Sequence, residues 1–130
     1  MFHAWLGGQN NVDAELFQWV YVPIGVSSAP FIFWWRADVG SEQPNDTLSV
    51  LVQYDSQADQ VYTVQAVAPL GQWLREEVDL RAYAGMHILT TFHSHTDGAL
   101  PTTFLVDDAT LLVCGVPIRS IYLPLILRYR

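Results

Sequence analysis

Apolar and polar residues alternate along this chain with a period of two, the spacing that sends every second side chain to the same face of a β-strand. The alternation marks out Ala4–Leu6, Leu16–Val22, Pro30–Ala37, Thr47–Tyr54, Gln60–Ala66, Trp73–Asp79, His87–Ser94 and Thr103–Val113. Between them stand turn formers such as Gly7-Gly8, Pro23-Ile24-Gly25, Asn45-Asp46, Asp55-Ser56, Pro69-Leu70-Gly71 and Asp97-Gly98. Short strands at this spacing predict an all-β protein, an antiparallel β-sandwich, with Leu80-Arg81-Ala82-Tyr83 as its one helical turn. The inward rows are Leu16/Gln18/Val20/Val22, Phe31/Phe33/Trp35, Leu48/Val50/Val52 and Ile88/Thr90/Phe92. On that register Gln18 is a buried amide bonded to backbone, and Trp73, after Gly71-Gln72, fills the core.

One strand breaks the pattern. Phe104-Leu105-Val106-Asp107-Asp108-Ala109-Thr110-Leu111 alternates, admits two adjacent carboxylates and then resumes. Unpaired buried carboxylates are costly, so these two should meet a cation, backbone N–H groups or solvent. In a regular strand they point to opposite faces, and only a bulge would re-aim one of them.

The motifs Trp5-Leu6-Gly7-Gly8-Gln9-Asn10-Asn11, Leu16-Phe17-Gln18-Trp19-Val20, Phe31-Ile32-Phe33-Trp34-Trp35-Arg36, Gly71-Gln72-Trp73, Tyr83-Ala84-Gly85 and Phe104-Leu105-Val106-Asp107-Asp108 stand in an order that resembles a family of jelly-roll accessory domains. These are the galactose-binding-like, MAM-like and carbohydrate-binding modules found toward the C-termini of secreted bacterial peptidases and other hydrolases. The resemblance implies a jelly roll over residues 1–115 that belongs to a longer extracellular or cell-surface protein and lacks its first strand. Residues 116–130 would be an apolar tail, a sorting segment or an edge strand, with Pro124 barred from any central ladder position. The resemblance also implies a structural calcium at Asp107 or Asp108, with Asn11 and Asp13 among its oxygen ligands; hard cations take six to eight of these.

The candidate binding residues are the outward aromatics and their polar neighbours. Phe17, Trp19 and Tyr21 alternate with the inward row of one strand, and Trp34 and Arg36 with that of the next. Exposed rings beside polar groups suit sugar faces or a protein partner. A carbohydrate site would expose Trp19, Tyr21, Trp34 and Arg36 in one groove, with His93 and His95 on its rim. An interaction domain packed on a neighbouring hydrolase or peptidase would instead bury the aromatics. His93 and His95 share one strand face, as zinc ligands do, yet Phe92 and Ser94 continue the inward register and leave both imidazoles outward without a recognisable third ligand beyond His87, His3 or Asp97. Ser94, His93 and Asp97 lie too close on one strand to converge as a catalytic triad. A non-catalytic binding module is the reading these residues favour.

Composition narrows the partners. The 130 residues carry a net charge of −7 and no lysine, which leaves no basic footprint for nucleic acid. Apolar residues make up 51% and charged residues 15%, so a folded core is affordable in a single domain. No apolar run reaches the roughly 18 residues of a membrane span. The lone Cys114 forms no internal disulfide.

Overall fold

The computed structural model describes residues 4–39, 41–67, 69–115, 119–122 and 126–129, the last two segments by backbone course alone. The alternating segments fold into β1 (Ala4–Gly7), β2 (Asp13–Tyr21), β3 (Pro30–Asp38), β4 (Gln43–Tyr54), β5 (Gln57–Ala66), β6 (Leu74–Asp79), β7 (His87–His95) and β8 (Thr103–Val113). The expected helical turn is a 3₁₀ turn at Arg81–Tyr83. Two further strands, β9 (Arg119–Tyr122) and β10 (Ile126–Tyr129), follow in the last part of the chain.

These strands make two antiparallel sheets, ordered β1-β8-β3-β6 and β10-β2-β7-β4-β5. One side of β8 pairs along its length with β3; β1 takes the first half of the other side and β9 the second. The result is an all-β sandwich compatible with a jelly-roll-type domain. No helix among the described residues is long and apolar enough to cross a membrane. Val116, Pro117, Ile118 and Pro124 of the tail, and His3, lie outside the described residues.

The core is where the inward rows of the two sheets meet. Phe31, Phe33 and Trp35 from β3 and Phe104, Val106 and Leu111 from β8 face Leu16, Leu48, Val50, Val52, Ile88 and Phe92 from the opposite sheet, all of them buried. Phe92 bridges the layers, its ring 5.0 Å from that of Phe33, edge to face, and 5.7 Å from that of Phe31. Such ring pairs add to the area they bury. Gln18 departs from its expected place: it is half-buried, and its Nε2 donates to the neighbouring Trp19 carbonyl at 2.9 Å. The buried polar position beside it belongs to Thr90, whose hydroxyl donates to the Gln18 carbonyl at 3.0 Å. A threonine hydroxyl reaches a carbonyl one strand away without filling the core with a long amide, so the glutamine side chain turns along the strand.

One end of the sandwich is closed by a polar clamp. Asp46, fully buried in the irregular stretch of β4, accepts from the Asp97 N–H at 2.9 Å and from the Thr102 hydroxyl. The same loop returns to β1, where the Gly8 N–H donates to the Thr102 carbonyl at 2.7 Å. Gly7 is required there. Its φ is +80°, and a Cβ would stand 2.5 Å from the Thr102 oxygen.

Candidate functional site: an aromatic groove on the outer face of one sheet

The outward positions of the β1-β8-β3-β6 sheet form a grid set by register. Trp5 on β1 lies opposite Leu105 on β8, which lies opposite Arg36 on β3; one row away Thr103 faces Asp38, and on the other side Asp107 faces Trp34. Trp73 comes up from the chain just before β6, and the Arg36 guanidinium sits over its ring, 5.9 Å from the centroid. Together Trp5, Trp73, Arg36, Asp38, Leu105 and Asp107 bound an open groove of about 500 Å³. A smaller recess of about 110 Å³ continues it between Trp73, Trp34, Asp107 and Asp108.

Each wall has a local cause. Leu105 is only 5% exposed although it faces outward, because the rings and the guanidinium beside it cover it; it is the apolar floor. Arg36 and Asp38, two residues apart on one strand, share a face and form a two-pronged ion pair at 2.7 and 2.8 Å. The bond to Asp38 keeps the Arg36 guanidinium even more firmly protonated than usual. Cation, carboxylate and indole are thereby held in one orientation. At the far end β8 is bulged: Ile32 pairs with Thr110 but Trp34 with Asp107, so β8 carries one residue too many, and Asp108 adopts φ +51°. The bulge is the re-aiming device that two adjacent acids require. Asp107 Oδ1 accepts the Asp108 N–H at 2.8 Å, and both carboxylates border the recess.

The expected single groove divides in two. Trp34 and Arg36 lie on the outer face of one sheet, whereas Trp19 and Tyr21, on β2, and His93 and His95, on β7, lie on the outer face of the other. Trp19 is 61% exposed and Trp34 38%, but the whole sandwich separates them. Trp73, expected in the core, is half-buried and lines both parts of the groove. The residues missed at the groove are therefore Trp5, Asp38, Trp73 and Leu105. The Arg36-x-Asp38 spacing was a legible signal for the ion pair; nothing local announced that Trp5 would be carried beside it by β1 pairing with β8.

The calcium ligands expected together do not converge. Asn11 is in the turn after β1, its N–H on the Asp97 carbonyl at 2.8 Å, while Asp107 and Asp108 line the groove on one sheet face. Asp13 sits on the opposite face, where its Oδ1 meets His93 Nε2 and His95 Nδ1, each at 3.0 Å. Among the described residues no group of three or more His, Cys, Asp or Glu side chains is arranged to hold a metal ion.

This His-Asp-His contact has a measurable signature. Partial burial pushes the Asp13 carboxyl up, but the hydrogen bond from His95 and the charges of His93 and His95 outweigh it and hold it below its ordinary value of 3.8. A carboxyl depressed in the folded state contributes stability above its unfolded pKa and loses it as pH falls through the folded one. In acid titrations followed by tryptophan fluorescence, wild type should therefore hold a small advantage over Asp13→Asn above about pH 4 that vanishes in stronger acid. The pair is half-exposed, which keeps the effect small.

Compared with models of known protein families and with curated protein sequences, the chain matches none.

Proposed function

We propose that the protein is a non-catalytic carbohydrate-binding module that holds a polysaccharide along the groove between Trp5 and Trp73. One observation carries this reading: two indoles flank an apolar floor, Leu105, while a pre-formed Arg36–Asp38 ion pair and the Asp107 carboxylate supply hydrogen-bonding groups at fixed positions around it. A pyranose ring presents a C–H face and a rim of hydroxyls, and this surface offers an apolar plane and a polar rim to match. The resemblance to accessory domains of secreted hydrolases supports the same reading and an extracellular setting. The groove is shallow and open, so affinity should be modest and spread over several sugar units.

The test is affinity electrophoresis against soluble polysaccharides. Wild type should be retarded by at least one of them, and Trp73→Ala should weaken that retardation roughly tenfold, the equivalent of losing about 1.4 kcal/mol of stacking, measured well below the variant's melting temperature, which the loss of a half-buried ring should lower by only a few degrees. If no polysaccharide retards the wild type, the groove is instead a docking surface for a neighbouring protein domain.

A further inference from the structure

The face opposite the groove repeats its chemistry with different residues. Trp19 on β2 lies opposite Leu89 on β7, Leu89 opposite Gln53 on β4, and Gln53 opposite Ala58 on β5, one row running across four strands. At its centre Trp19, Leu89, Gln53, Tyr54, Asp55 and Ser56 line a shallow depression of about 350 Å³. We infer that this depression is a second carbohydrate site, for an uncharged polysaccharide, and that the module bridges two glycan chains held on its opposite faces. The bridging half of the inference rests on the sugar reading of the Trp5–Trp73 groove; the Trp19 site does not.

Three observations support a sugar here. The apolar part is one exposed indole plane beside one leucine, the width of a sugar ring, whereas a stable protein interface needs about 800 Å² from each partner. The polar groups beside it are fixed: the Gln53 amide is oriented by the Thr91 hydroxyl, 3.4 Å from its Oε1, which leaves its NH₂ end to donate. Tyr54 follows the inward parity of Val50 and Val52 and packs on Tyr83, and the hydroxyls of both tyrosines donate to Asp59 Oδ2, at 3.1 and 2.8 Å, which anchors the end of β4 that carries Gln53. Asp55 stands in the two-residue turn between β4 and β5 at φ +51°, a conformation such tight hairpin loops demand. A carboxylate at the rim and a chain charge of −7 disfavour anionic glycans. Because stacked sheets lie about 10 Å apart and each site is on an outer face, one chain would have to wrap around the molecule to fill both.

Bivalence makes the inference testable with the intact protein and soluble neutral probes, namely hydroxyethylcellulose, xyloglucan and galactomannan. For the probe that retards wild type, Trp19→Ala and Trp73→Ala should each leave partial retardation, and the double variant should leave none. Wild type should also cross-link that probe, read as a rise in light scattering, and each single variant should lose the rise. If Trp19→Ala binds and scatters like wild type, the second site is overturned while the groove stands. If Trp19→Ala alone abolishes retardation and Trp73→Ala changes nothing, the Trp19 site stands, the groove reading falls, and bridging falls with it. No retardation by any probe overturns both. Should Trp19→Ala fold poorly, Gln53→Ala on the same depression is read in its place.

Discussion

Replacing Phe92 with alanine is expected to destabilise the fold by about 4 kcal/mol, the range for deleting a fully buried phenylalanine from a packed core. The ring is 1% exposed and touches Phe31 and Phe33 across the two layers, so its loss opens a cavity where both sheets pack on the same side chain. Rigid strands on either side limit how far the core can collapse into the space. Against the 5–15 kcal/mol typical of a whole domain this is a large fraction, and the melting temperature should fall by roughly 15 °C. Phe92→Leu, which keeps most of the volume, should cost less than half as much in urea denaturation. Equal losses for the two variants would show that ring contacts, and not filled volume, dominate there.

Asp46→Ala should cost about 3 kcal/mol for a different reason. Its two carboxylate oxygens are acceptors for the Asp97 N–H and the Thr102 hydroxyl at a fully buried position, and removing them strands both donors away from water. Asp46→Asn retains one acceptor and should lose about half as much. The loop concerned delivers Thr103 and Leu105 to the groove, so Asp46→Ala should also weaken polysaccharide retardation well below its melting temperature. Undiminished retardation would mean that β8 is positioned by its strand pairing, without help from the Asp46 contacts.

Strand positions were legible because each half-buried strand writes its two faces into the sequence: Phe31, Phe33 and Trp35 on one parity, Trp34 and Arg36 on the other. Parity is a local property. It states that Trp19 and Trp34 both point out of their own sheets and is silent on which sheet each belongs to, because that is decided by the pairing of β2 with β7 and of β3 with β8, whose partners lie far along the chain. Trp73 escaped for a related reason: it precedes β6 by one residue, so no strand register governs its direction. Gln18 obeyed parity in its backbone and evaded it in its side chain, which is long enough to bend back to the Trp19 carbonyl. The paired acids left open whether the strand stays regular or bulges to re-aim one of them, and the register shift with Asp108 at φ +51° shows that it bulges.

The pairing of β1 with β8 and of β10 with β2 joins residues about a hundred positions apart, such as Ala4 with Val106 and Phe17 with Ile126. Loop closure over such spans must be met before the contacts return anything, which places this chain among slow-folding topologies. During synthesis, β2 and β3 emerge long before β7 and β8, the strands that pair with them, and the inward row of Phe31, Phe33 and Trp35 on β3 waits as bare, lysine-free sticky surface. Yield in a cell should therefore track the supply of chaperones that hold nascent β-strands apart, and slowing translation through the second half of the message should increase aggregation rather than relieve it.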